Sequence, residues 1–186
     1  MTHPFEKIPP GAGRWFFVPA LVLYLIIQAA FAWLDGPLHT AASSGVVSFE
    51  LAGRVAVSRA MIDSWNDFAR LDVSFGLGID FLFMVAYSTL IGMACIWAAR
   101  TLRTRRWPLA ALGASLAWGI WLAVLCDSIE NIMLLSQLFY GVFSPLPEIA
   151  AACATVKFLL IVLGLVYALY GAAAWLTRAS RSPVRS

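Results

Sequence analysis

Apolar residues arrive in four long runs, and polar residues gather between them. The first run is WFFVPALVLYLIIQAAFAWL, residues 15–34. The second covers 74–99, the third 108–128, starting at Pro108, and the fourth 148–176. About 20 apolar residues suffice for a helix to cross a bilayer. The runs lack the period-two alternation of a β-barrel strand. A helix satisfies its own backbone groups in lipid, so the pattern predicts four transmembrane helices. The first run is longer than a signal-peptide core, so it is read as a retained helix. The expected fold is all-α, an integral membrane four-helix bundle, with residues 15–176 forming a single transmembrane domain.

Residues 35–73 join the first two runs and are too long for a simple turn. Within them HTAASSG reads as loop, and residues 50–72 predict an amphipathic helix. Val55, Met61, Ile62, Trp65, Phe68 and Leu71 recur near helical spacing, while Arg54, Arg59, Asp63, Asp67 and Arg70 fill the other face. This extracytoplasmic helix is either a connector on the membrane surface or a lid over a cavity. As a lid it would make Trp65 a ligand contact.

Composition agrees with the pattern. Hydrophobic residues make up 61% of the 186 and charged residues 12%, against about a quarter charged in soluble domains. The placement of the basic residues sets the orientation. Lys7 and Arg14 precede the first run, Arg100, Arg103, Arg105 and Arg106 separate the second and third, and Arg178, Arg181 and Arg185 follow the fourth. With four spans these segments share one side. The positive-inside rule makes that side cytoplasmic, with 1–14 and 177–186 as cytoplasmic tails of a cell (inner) membrane protein. Trp15, Trp97, Trp107 and Trp175 fall at that interface and Trp33 at the other, as an aromatic belt requires. Trp118 and Trp121 fall mid-span and face either lipid or a ligand cavity. The basic 100–106 loop is explained by orientation and contact with anionic headgroups, so membrane lipids are expected partners and nucleic acid is not. Small residues at Ala110, Gly113, Ala114 and Ala117, and at Gly164, Ala168 and Ala172, allow close helix approach. They serve packing within one bundle, a homo-oligomer or a partner membrane subunit equally well. Cys95, Cys126 and Cys153 form no CxxC pair and read as apolar fillers.

The candidate chemistry lies in one layer. At about 1.5 Å per residue, Asp80, Asp127, Glu130, Asn131 and Lys157 all fall in the outer half of the bundle. Asp127, Glu130 and Asn131 stand at i, i+3 and i+4, on one helix face, and Gln137 is two turns beyond Glu130. A charge facing hydrocarbon costs a few kcal/mol, so such groups turn inward and find partners. One reading pairs Lys157 with an acid and the outer arginines with the rest. A second makes the layer a ligand or catalytic site, with Asp80, Asp127 and Glu130 as acid or base candidates and Asn131, Lys157, Trp65 and Gln137 as ligand contacts. A third is an ion or proton path, which needs relay groups in the inner half. Two or three carboxylates would suit Mg²⁺ or Ca²⁺, though no metal ligand set is assigned. No nucleophile elbow, P-loop, dinucleotide fingerprint or HExxH is present, so no cofactor is named.

DFLFMVAYS at 80–88, DSIEN at 127–131, FELAG at 49–53 and the later Trp65 resemble a group of small bacterial four-helix membrane proteins. The resemblance covers roughly residues 49–140. It implies a shared architecture and a shared acidic face, not a reaction. Three functions therefore stand open: binding of, or chemistry on, an apolar or lipid-like molecule; an accessory subunit with internally paired charges; and a small ion-coupled carrier.

Overall fold

The computed structural model describes residues 2–9 and 11–177; Arg178, Arg181 and Arg185 lie outside the described residues. Within these, the chain is all-helical and has no strand. Six α-helices follow in order: α1 (Gly13–Leu34), α2 (Val46–Glu50), α3 (Val55–Ser64), α4 (Asp67–Thr104), α5 (Leu112–Tyr140) and α6 (Leu146–Leu176). Two 3-10 turns, Pro4–Lys7 and Gly36–Leu38, precede and follow α1. Four of the helices, α1, α4, α5 and α6, are long and apolar enough to cross a membrane.

The predicted helix over 50–72 is broken. α3 ends at Ser64, and Asn66 in an extended conformation accepts the Ala69 N–H at 2.9 Å, which caps α4. Residues 67–72 are therefore the first turns of α4. The apolar spacing continues across the break because Met61, Ile62, Trp65 and Ala69 all enter one buried cluster. Phe68 and Leu71 do not join it and are 78% and 66% exposed. The third long helix begins at Leu112 rather than Pro108, after a turn in which Arg106 and Leu109 have positive φ.

α4 is the central helix. α1, α5 and α6 each pack against it, and α5 also packs along α6. Two apolar clusters stack along the bundle. One joins Leu38, Phe49, Trp65, Val73, Leu77, Leu134 and Ala150 at the end covered by α2 and α3, here termed the capped end. The other joins Met84, Ile91, Cys95, Leu102, Ile120 and Tyr167 toward the basic end. Buried positions recur every three or four residues on α5, from Gly113 through Ala117, Ile120, Ala123, Asp127, Glu130 and Leu134. That stripe carries the acids into the interior. On α6 the buried row is Gly164, Tyr167, Gly171 and Ala174. Of the small residues singled out on this helix only Gly164 lies in that row; Ala168 is half-buried and Ala172 exposed. Gly171 lies so close to Ala98 of α4 that a Cβ there would collide with that residue's backbone.

The N-terminal segment is docked rather than a free tail. Phe5 fills the notch left by Gly92 on α4, where a side chain would collide with its ring. Arg100 donates to the carbonyls of Glu6 and Ile8 at 2.8 and 3.1 Å. His3 is fully buried, edge-on to Trp118 and Trp121 with ring centroids 5.0 and 4.8 Å away. These two tryptophans thus face neither the capped-end cluster nor only the exterior. The His3 Nδ1 accepts the Phe5 N–H at 3.2 Å, while Nε2 has no partner.

Burial holds the His3 pKa below its ordinary 6.5, with Glu6 opposing. A proton on Nδ1 would also compete with the Phe5 N–H. The undocked segment therefore binds the proton better, so docking is strongest above pH 6.5 and weakens as pH falls through it. Hydrogen exchange at residues 3–8, corrected for intrinsic rates, should accelerate below that pH, and His3→Leu should abolish the step. A corrected rate independent of pH in the native protein would contradict this.

Candidate functional site

Between the two apolar clusters lies a layer of ionisable side chains. On α4 it falls between Leu77 and Met84, on α5 between Ile120 and Leu134, and on α6 between Ala150 and Gly164. The Lys157 Nζ is at its centre. It donates to Asp127 Oδ1 at 3.0 Å, to Glu130 Oε1 at 2.9 Å and to Glu50 Oε2 at 3.4 Å. Glu130 Oε2 is also 2.9 Å from Nζ, but its angle gives charge contact without a hydrogen bond. All four groups are buried. The Tyr87 hydroxyl donates to Asp127 Oδ2 at 2.9 Å. Asn131 Nδ2 donates to Asp80 Oδ2 at 2.7 Å and more weakly to the Leu77 carbonyl at 3.4 Å.

Asp80, Asp127, Glu130, Asn131 and Lys157, chosen as intramembrane polar residues, thus meet as one group. Two groups were not foreseen. Glu50 ends the five-residue α2, which the chain swings over the bundle. Gly45 makes this possible: it adopts φ 92 and lies against the Asp35 carboxylate, which accepts the Val46 N–H at 2.7 Å. Burial pushes the Glu50 carboxyl above its usual range, and the Lys157 ammonium pulls it back. Tyr87 carried no signal beyond its hydroxyl, which needs a partner when buried.

Other candidates lie elsewhere. Trp65 is buried in the capped-end cluster, donating Nε1–H to the Leu38 carbonyl at 3.0 Å and packing edge-on against Phe49. It clamps the connector rather than lining the cavity. Gln137 is buried beyond the layer, with Nε2 directed at the Met133 carbonyl at 3.3 Å. The arginines of the connector do not neutralise the acids. Arg59 donates to the Val142 carbonyl and Arg70 to the Ile62 carbonyl, and among the described residues Lys157 alone brings positive charge to the layer. Among the described residues no three His, Cys, Asp or Glu side chains gather to hold a metal ion. The ammonium already occupies the centre of the carboxylates, and His39 pairs with Asp35 at 2.9 Å instead.

A cavity of about 490 Å³ reaches this layer from the side. α1, α4 and α6 wall it, and the Gly36–Leu38 turn and α2 cover it at the capped end. Its surface is chiefly apolar, with Phe31, Leu77, Phe83, Phe158 and Ile161 along the walls. Asp80, Glu50, Asp127, Lys157 and Tyr87 face it at the ion layer, Asp35 and Asp72 line it toward the capped end, and Gln28 of α1 adds an amide. Gln28, Ala32 and Val47 are exposed, so the cavity opens along α1 and α2. Apolar walls of this size with a few converging polar groups are the usual form of a small-molecule site. No family model matches this chain, and neither a curated protein nor a solved structure does.

Removing one partner of a buried ion pair costs about 3–5 kcal/mol. Lys157→Met should lower the thermal midpoint of the purified protein strongly by leaving three carboxylates together, and Asp127→Asn in that background should restore part of the loss. Equal midpoints for native protein and Lys157→Met would show that the cluster does not hold the bundle.

Proposed function

We propose that this chain is a multi-pass inner-membrane protein, with both termini cytoplasmic, that binds an apolar or lipid-like molecule in the outer half of the membrane. Four helices of sufficient length and apolarity support the membrane assignment. Lys7, Arg14, Arg100, Arg103, Arg105 and Arg106 at the end away from the cap support the orientation. The observation that carries the binding reading is the cavity itself: chiefly apolar walls, a side opening beside α1, and a few carboxyl groups among its lining. A molecule entering from lipid would slide its apolar part between α1 and α6 and present its polar end to Asp80.

Internal pairing, the basis of the accessory-subunit reading, is supported by the three contacts of Lys157. It does not compete with binding, because Asp80 stands outside those pairs and faces the cavity. A path for ions is less well supported. On the basic side of the layer the packed face is Ile91, Cys95, Ile120 and Gly164, whereas a path needs polar relays there.

Two neighbouring glycines of α4 provide the test. Gly76 lines the cavity and has Leu34 at 3.9 Å from the place of a Cβ, whereas Gly78 faces open space outside it. Gly76→Leu should fill the cavity and Gly78→Leu should not. Native mass spectrometry from mild detergent should detect a co-purifying apolar molecule on the native protein and on Gly78→Leu, and lose it on Gly76→Leu. Equal retention by both variants would contradict the proposal.

A further inference from the structure

The ion-layer end of the cavity holds more acceptors than donors. Glu50, Asp80 and Asp127 line it and Glu130 lies behind them on Lys157, so four carboxyl groups share a layer with a single ammonium. An ammonium has three N–H donors, and those of Lys157 are spent on Glu50, Asp127 and Glu130. The hydroxyl of Tyr87 is spent on Asp127. Asp80 receives one bond, from Asn131 to Oδ2. The oxygen of that amide, Asn131 Oδ1, is buried without a hydrogen-bond partner in a residue only 1% exposed. Glu130 Oε2 has only the charge contact with Lys157 Nζ, without a hydrogen bond. Buried acceptors without donors are rare, and each asks for an explanation. Asp80 lines the cavity beside this group, outside the Lys157 pairs, and among the described residues only its Oδ2 receives a protein hydrogen bond.

The surroundings fix the charge of the missing donor. Lys157 has no free N–H for a phosphate or carboxylate, and an anionic head would meet Asp80 and Glu50 directly. Phe31, Phe83, Tyr87 and Phe158 present aromatic rings to the same space, and ring faces attract cations. Carboxylate plus aromatic walls is a cation site, and the apolar remainder of the cavity suits a hydrocarbon chain. Building on the proposal of a cavity ligand above, we infer that the ligand is an amphiphile with a protonated amine head. Its ammonium donates to Asp80 and its chain lies between α1 and α6.

Dodecylamine, dodecanol and dodecanoate, titrated below their micelle-forming concentrations into protein in maltoside detergent, separate the alternatives. A charge-assisted hydrogen bond contributes enough for a preference of about tenfold or more. The amine should bind at least that much more tightly than the alcohol, and more tightly than the acid. Asp80→Asn should bring amine and alcohol to near parity, and Gly76→Leu should block both. The comparison on native protein stands without the Asp80 variant, should that variant fold poorly. Amine and alcohol binding equally to native protein, with Gly76→Leu blocking both, would overturn the amine head and leave the cavity ligand intact. Tightest binding by the acid would also overturn it. Binding of all three that Gly76→Leu leaves unchanged would overturn the cavity ligand together with the amine head.

Discussion

A lysine ammonium enclosed by apolar helices must be neutralised where it stands, and Lys157 is neutralised from three directions. Asp127 and Glu130 reach it from α5, and Glu50 reaches it from the short α2. A buried ammonium left without a carboxylate would carry its full desolvation cost, and the three acids supply an acceptor for each of its N–H groups. The contact ties α5 to α6 and draws the connector over the end of the bundle. Once α2 is held there, the Gly36–Leu38 turn and α2 cover the space between α1, α4 and α6. The same ion cluster thus serves cohesion and shapes the cavity.

Asp80 has a different place in this arrangement. It is bonded by Asn131, one residue after Glu130 on α5, and so belongs to the layer without pairing to Lys157. Under the proposed function, pairing and binding fall to neighbouring residues. The acids bonded to Lys157 are committed to structure, and Asp80 is left to face the cavity.

The legible part of the molecule is the part where a residue contradicts its surroundings. Asp80, Asp127, Glu130, Asn131 and Lys157 stand out because their apolar helices have no reason to contain them except a mutual contact. Glu50 gave no such signal. It lies in a polar connector, where a carboxylate is ordinary, and only the turn at Gly45 brings it inward. Tyr87 was hidden for the opposite reason, since an aromatic residue suits an apolar helix whether or not its hydroxyl is used. The break at Asn66 was invisible because α3 and α4 feed the same apolar cluster, so the periodicity continues across the cap. The face of α6 was misread because several of its small residues alternate, and only contact with Ala98 picks out Gly171 over Ala172. The docking of His3 and Phe5 depends on a notch at Gly92, which has meaning only once α4 and α5 are side by side.

An experimental density map of the protein, extracted from its membrane directly into lipid nanodiscs, tests this account most directly. The account predicts Lys157 enclosed by Glu50, Asp127 and Glu130, with an elongated density between α1 and α6 whose polar end lies within hydrogen-bonding distance of Asp80. A map in which α1 closes against α6 and Asp80 is fully bonded by protein side chains would contradict it.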